Sequence, residues 1–173
     1  MQLSIHIRLF REDDAPALSD VFFAAVRELA SADYSPEQIE VWAPHEYDEA
    51  RWAARMRKLQ PFVAEAGGII VGYADVQADG YIDHFFVSPT VARQGVGMAL
   101  MRRLHDRATE RAVAKLHAHV SVTARPFFAK CGFVVVEPRT EVVRGVELPT
   151  FHMRKSLDDE RRERSALDYL ERR

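Results

Sequence analysis

The stretch from Tyr81 to Leu104, YIDHFFVSPTVARQGVGMALMRRL, constrains this chain more than any other. Tyr81–Val87 is rich in aromatic and β-branched residues and stops at Ser88-Pro89, the pattern of a strand. Val96, Leu100, Met101 and Leu104 then recur at helical spacing. Between the two lies Ala92-Arg93-Gln94-Gly95-Val96-Gly97. Gly95 and Gly97 carry no Cβ, so a ligand can come close to the backbone there. The first turn of a helix leaves N–H groups without partners and carries partial positive charge. A strand, a glycine loop and a helix in this order suit a phosphate or diphosphate, although glycines in this pattern also serve plain helix-to-strand packing. No Gly-Lys-Ser/Thr follows the loop, and no third glycine stands at the dinucleotide offset, so two common nucleotide motifs are excluded.

The flanking chain supplies the elements such a unit needs. Ile5–Phe10 reads as a first strand, and Asp13 or Asp14 is expected to cap a helix with Pro16 in its first turn. Leu18, Val21, Phe22, Ala25, Val26 and Leu29 form the apolar stripe of that helix. Ser35-Pro36-Glu37-Gln38 is a second helix start, with Gln38 completing a capping box. A third helix is expected from about Asp48 to Lys58. Phe62–Ala66 and Ile69–Val76, joined by Gly67-Gly68, read as a hairpin that leads through Asp79-Gly80 into the central strand. Lys115–Ser121 follows the central helix and should lie parallel to Tyr81–Val87. A short helix, Ala124–Lys130, ends at Gly132; a closing hairpin, Phe133–Val136 with Leu148–Met153, turns near Arg144-Gly145.

Whole-chain properties narrow the function class. One domain is expected from 173 residues. A net charge of −2 offers no basic surface for nucleic acid or an anionic membrane. No apolar run approaches the ~20 residues of a membrane span, and Met1–His6 lacks a charged-then-apolar leader pattern. The single cysteine, Cys131, forms no internal disulfide, which fits a reducing cytoplasm.

Val87-Ser88-Pro89 followed by Gly95-Val96-Gly97-Met98-Ala99-Leu100-Met101 resembles the acyl-CoA-binding motif of the GNAT acetyltransferase superfamily. Ala124–Phe133 and the opening Ile7-Arg8 with Asp13-Asp14 are similar to later and earlier parts of the same pattern. The likeness is strongest to YafP-type bacterial acetyltransferases, through Tyr34–Ile39, Tyr81-Ile82-Asp83, Thr123–Phe128 and Arg144-Gly145. It implies a single α/β (α+β) domain over residues 1–155, with a mixed sheet of about seven strands splayed at the CoA site and flanked by helices. Residues 156–173 are expected as a charged helical tail, docked on its own domain or on a second subunit of a homodimer. The implied activity is transfer of an acetyl group from acetyl-CoA, without a metal, to an amine of a small molecule or peptide. A non-catalytic acyl-CoA-binding module and an O-acyltransferase are the rivals.

The resemblance also distributes roles. Phe85, Phe86 and Val87 should hold the pantetheine arm by backbone groups, with an N–H near Phe86 as oxyanion donor. Arg93, Gln94, Gly95, Val96, Gly97, Met98 and Ala99 should clasp the diphosphate. Ser121, Phe127 and Phe128 belong to the same acyl-CoA site. Tyr34, Trp42, Tyr73 and Tyr81 are expected on the acceptor side; Tyr34, Trp42, His45 and Tyr47 crowd one short stretch. Asp83 is the first candidate for the general base, before Tyr81 and His84. Along the central strand Tyr81, Asp83 and Phe85 alternate onto one face, with Ile82, His84 and Phe86 on the other. Three departures stand out: Ala92 replaces a frequent Arg or Gln, Ser121 a frequent Asn, and Phe128 a tyrosine thought to protonate the leaving thiolate. His117 and His119 on one strand face have a metal-ligand spacing without a third ligand nearby, and Cys131 lacks an activating neighbour.

Overall fold

The computed structural model describes residues 3–158. Two four-stranded sheets form its centre. The first has the order β1 (Ile5–Leu9), β2 (Phe62–Ala66), β3 (Ile69–Ala74), β5 (Phe85–Val87), antiparallel throughout. The second has the order β4 (Tyr81–Ile82), β6 (Lys115–Ser121), β8 (Val146–Ser156), β7 (Val134–Val143), with β4 and β6 parallel and the other pairs antiparallel.

The central strand is where expectation and structure part. Tyr81–Val87 is not one strand but β4 and β5, which belong to different sheets, so eight strands stand among the described residues where about seven were expected. Asp75 N–H donates to His84 O and Gln77 N–H donates to Tyr81 O, so four residues, Tyr81–His84, face three, Asp75–Gln77. This is a bulge, and a bulge bends its strand and increases its twist. It also breaks the alternation: Ile82 and Phe85 pack in one core, whereas His84 lies with Phe86 on the opposite side, its ring beside Phe22 and Tyr73.

Helix α4 (Val96–Glu110) covers one face of the first sheet. Its stripe of Val96, Leu100, Met101, Leu104 and Ala108 is buried against Phe62, Ala64, Val71 and Ala74, and against Leu116, Ala118 and Val120 of β6. The opposite face is covered by α1 (Ala15–Ala24) and α3 (Glu49–Leu59), where Leu18, Val21, Phe22, Val26 and Met56 meet Val63 and Tyr73. A π-turn, Ala25–Leu29, prolongs α1, and its wider winding carries Leu29 out of the expected stripe to 37% exposure. In α2 (Pro36–Trp42) the capping box forms as the sequence requires: Gln38 N–H donates to Ser35 Oγ, and Ser35 N–H to Gln38 Oε1. Asp14 does not cap α1 with its side chain. Its carboxylate accepts both NH1 and NH2 of Arg8 at 2.7 and 2.8 Å and the Arg11 N–H, while Arg8 Nε reaches Glu65. The Arg8 guanidinium accordingly holds the Asp14 carboxyl below its ordinary range.

Helix α5 (Arg125–Lys130) and the long β7–β8 hairpin complete the domain. Strand β8 runs through Ser156, one residue past the expected boundary, and Leu157 is buried in the main core. The expected tail helix beyond residue 158 lies outside the described residues.

Gly80 sets the approach of the β4 segment to β6 within the second sheet. Its carbonyl accepts the His117 N–H at 3.0 Å, its φ is +87°, and a Cβ there would run into the Lys115 carbonyl oxygen. Gly80→Ala is therefore expected to cost about 2–4 kcal/mol, read as a fall in the urea midpoint. A loss below about 1 kcal/mol would contradict this packing.

Candidate functional site

The site is a wedge opened by the bulge. β4 pairs with β6 only through Tyr81–His117 and Ile82–Ala118; β5 then turns to β3, and β6 continues without it. The register decides which amides face the gap. Ser88 N–H donates to Val71 O and Asp75 N–H to His84 O, so the bonded pairs of this antiparallel ladder are 71/88, 73/86 and 75/84. The Phe86 amide is thus committed to Tyr73, and the N–H and C=O groups of Phe85 and Val87 face the wedge. Across it stand Ala118, His119, Val120 and Ser121.

At one mouth of the wedge lies the glycine loop. Ala92 and Gln94 N–H groups are used within the loop, by Pro89 O and Val91 O. Those of Arg93, Gly95, Val96, Gly97 and Met98 have no acceptor among the described residues. Arg93 at φ 63° and Gly95 at φ 90° curl the backbone so that these groups gather at the start of α4. Gly97 lies against Phe127: a Cβ would stand 3.1 Å from the ring. Phe127 and Phe128 in turn pack on Phe85, and Phe128 is 3% exposed. Phe128 is thus a core ring at the wedge, with no proton to give. Ser121 Oγ accepts the Ala124 N–H at 3.1 Å and so helps to turn the chain into α5.

The other mouth opens on the α1/α3 face as a cleft, and wedge and cleft together enclose about 1050 Å³. Tyr81, Asp83 and His84 line it, with Trp42 and Tyr34 on the α2 side. Asp83 Oδ2 accepts from Arg55 at 3.1 Å. His84 is 5% exposed and enclosed by the rings of Phe22, Trp52, Tyr73 and Phe86. Burial pulls its imidazole down to about 4, so it is neutral at pH 7. Tyr73 is wholly buried, and its hydroxyl bonds His84 Nδ1 at 2.9 Å. That contact commits Nδ1 of the ring to Tyr73. Tyr73, expected on the acceptor side, stands behind His84 and does not line the cleft.

Tyr34 lines the cleft, but its hydroxyl is committed: it donates to Pro149 O at 2.6 Å and accepts from Val122 N–H at 2.9 Å. It pins β8 and the end of β6 to α2, and burial raises its phenol. His45 lies outside the cleft, paired with Glu40 at 2.6 Å.

Several lining residues escaped the reading of the sequence. Phe22, Phe23 and Trp52 were read as core or not singled out, and Arg51 and Arg55 on α3 carried no signal beyond helical spacing. Asp75 had a visible mark, a lone acid in the apolar run Ile69–Val76. It is wholly buried, and it accepts His84 N–H at 2.6 Å and the Gln77 side-chain amide. Burial lifts its carboxyl to about 6, against the lowering effect of those hydrogen bonds.

Two other candidates resolve otherwise. His117 and His119 stand with His152 on one sheet face, rings 6.1 and 5.7 Å away, and His119 pairs with Glu141 at 2.9 Å. No cluster of three His, Cys, Asp or Glu among the described residues has metal-site geometry. Burial raises the Cys131 thiol, the opposite of what a nucleophile needs. No helix among the described residues is long and apolar enough to cross a membrane.

Comparison with known proteins agrees with this geometry. The profile of the acetyltransferase (GNAT) domain matches residues 30–157. The chain is 36% identical over 151 residues to YafP of Escherichia coli (strain K12), described as an uncharacterized N-acetyltransferase, covering 87% of this chain and 95% of that one. Among solved structures, a GCN5-related N-acetyltransferase from Rhodopseudomonas palustris superposes with a TM-score of 0.86 at 34% identity, over 91% of this chain and 99% of that chain. The PaiA N-acetyltransferase of Thermoplasma acidophilum, solved with coenzyme A, has a TM-score of 0.68 at 19% identity, over 88% and 99%, and shares the fold.

Asp75 and His84 make opposite contributions to stability. The His84 pKa, depressed to about 4, stabilises the fold fully above its ordinary 6.5, and this is lost as pH falls towards 4. The Asp75 pKa, raised to about 6, gives stability present below its ordinary 3.8 and lost as pH rises towards 6. Each slope is about 1.4 kcal/mol per pH unit, and in the wild type the two offset. Asp75→Asn should therefore gain stability from pH 4.5 to about 6, and His84→Gln should lose it, by urea unfolding. Two variants that both follow the wild-type profile would overturn these assignments.

Proposed function

The chain belongs to the GNAT acetyltransferase family, an acetyl-CoA-dependent N-acetyltransferase, and on that premise we propose how its own residues divide the work. The wedge carries the reading: five unpartnered amides at one mouth, two strand amides along it, and a carboxylate with aromatic walls at the other. Acetyl-CoA supplies the activated acetyl thioester. Its diphosphate is held by the N–H groups of Arg93, Gly95, Val96, Gly97 and Met98, where helix-end charge favours an anion. Gln94 and Ala99 shape that turn. Phe85 and Val87 offer backbone groups to the pantetheine arm, with Phe86 turned away to Tyr73. Phe127, Phe128 and Ser121 line the passage. The unpaired Phe85 N–H, nearest the bulge, takes the role of oxyanion donor.

Asp83 is the general base. The acceptor enters as an ammonium group and gives one proton to Asp83. The neutral nitrogen attacks, a C–N bond forms, and the C–S bond breaks. Asp83 passes the first proton on to cleft water, which carries it to bulk solvent. The second proton, shed by nitrogen after the C–N bond forms, goes through cleft water to the thiolate, since Phe128 cannot donate. His84 supports this choice, since its Nδ1 is committed to Tyr73 and burial makes its imidazole a weak base. His84 and Tyr81 then position the acceptor, Tyr34 and Trp42 shape the α2 side of the cleft, and Tyr73 orients His84. The acceptor is a small molecule or peptide amine, met in the cytoplasm.

Asp83→Asn is expected to lower kcat by about 10²–10⁴-fold while the calorimetric Kd for acetyl-CoA stays within twofold of the wild type. Gly97→Val should do the reverse, raising that Kd at least tenfold. Unchanged turnover in Asp83→Asn removes the base assignment. Tight acetyl-CoA binding without thiol release for any amine would favour a binding module, and release with alcohols alone an O-acyltransferase.

A further inference from the structure

The acceptor cleft holds more than a base. On its α1/α3 side four rings pack against one another and line one wall: Phe23 and Tyr47 are 4.6 Å apart, Phe22 and Trp52 5.2 Å, Phe23 and Trp52 6.3 Å, Tyr47 and Trp52 6.5 Å. The wall is fixed from behind. Tyr47 shares a hydrogen bond with Ser19 at 2.8 Å, and Trp52 Nε1 donates to Ala15 O at 2.8 Å. It adjoins the base, because Trp52 and Phe22 each lie 5.9 Å from the ring of His84, the residue next to Asp83.

The charges along this wall are not all paired with one another. Asp48 is used as the cap of α3, accepting the Arg51 N–H at 2.9 Å, and Glu141 pairs with His119, while Glu46 and Arg144 also line the cleft. Asp83 meets Arg55 through one contact only, 3.1 Å, with the two side chains 27% and 53% exposed. An exposed single-contact pair is worth at most about 1 kcal/mol, so a ligand can part it. Arg51, one helical turn before Arg55, also lines the cleft, and its guanidinium has no acidic partner among the described residues. Besides Asp48 and Glu141, two carboxylates, Asp83 and Glu46, and three guanidinium groups, Arg51, Arg55 and Arg144, thus line the cleft beside the aromatic wall, and Asp83, Arg51 and Arg55 are the ones nearest the proposed reaction.

We propose that the acceptor is a free α-amino acid with an aromatic side chain. This rests on the acetyl-transfer reading of the wedge. The ammonium group lies on Asp83, the α-carboxylate displaces Asp83 from Arg55 and is shared with Arg51, and the ring lies against the wall of Phe22, Phe23, Tyr47 and Trp52. A guanidinium fork matches a carboxylate in plane and in charge. Separation of Arg55 from Asp83 by the arriving zwitterion frees the base at the moment the amine reaches it. A simple aryl-alkyl amine would cover the wall but bring no carboxylate to either guanidinium group.

The test compares L-phenylalanine, L-phenylalaninamide and phenethylamine, by thiol release with acetyl-CoA and by calorimetric titration in the presence of CoA. The wild type should favour phenylalanine over both others by about 10–100-fold in kcat/KM and in Kd, the range of one or two charged hydrogen bonds. Arg55→Met should collapse that ratio at least tenfold, and Arg55→Lys should restore part of it. Equal or better use of phenethylamine by the wild type overturns the proposal, as does an unchanged ratio in Arg55→Met. Acetyl-CoA binding with no release from any of the three also overturns it while leaving the acetyltransferase reading in place. Failure to bind acetyl-CoA would remove that reading and the proposal with it.

Discussion

One strand cannot be bonded to two diverging sheets, and the chain meets that constraint at Asp83-His84. Four residues of the central segment face three of its neighbour. The extra residue breaks the ladder and passes the chain from β6 to β3. The bonded pair at the break is half side chain: Asp75 N–H donates to His84 O, and the return bond from His84 N–H goes to Asp75 Oδ1. A buried carboxylate is costly unless its hydrogen bonds are made, and here the backbone of the bulge and Gln77 make them. The wedge is the consequence. The same displacement that separates the sheets leaves Phe85 and Val87 with free backbone groups and turns Asp83 and His84 towards the cleft.

The two faces of the first sheet divide the two substrates. α4 lies on one, and its first turn collects amides for an anion. α1 and α3 lie on the other, and they bring rings and guanidinium groups. Electrostatics is kept local to each face. Arg8 is satisfied by Asp14 and Glu65 far from the cleft, Arg103 and Arg107 are drawn to Glu110 and over the Phe62 ring, and His84 is held uncharged by its aromatic enclosure. The charges that remain uncommitted in the cleft are therefore the ones that can choose an acceptor.

Much of this was legible in the sequence, because local rules govern it. The glycine loop, the capping box at Ser35, the Gly67-Gly68 hairpin and the stripe of α4 depend on nearest neighbours and period alone. The split of Tyr81–Val87 was not legible. Its composition is that of one good strand, and the break depends on Asp75, on twist and on which edge each half meets. Phase errors followed from it: Ile82 was paired with His84 by alternation, yet one extra residue moved it to the side of Phe85. Tyr73 was expected on the acceptor side; its position opposite Phe86 in β3 places it behind His84. Arg51, Arg55 and Trp52 carry the common spacing of any amphipathic helix, and their role depends on which face α3 turns to the bulge.

Amide hydrogen exchange, followed residue by residue with and without acetyl-CoA, tests the wedge most directly. Exchange should slow at Phe85 and Val87 and at Arg93, Gly95, Val96, Gly97 and Met98 on saturation, while Phe86, already bonded to Tyr73, stays protected in both states. Unchanged exchange at Phe85 and Val87 with the ligand fully bound would contradict the wedge as the acyl-CoA site.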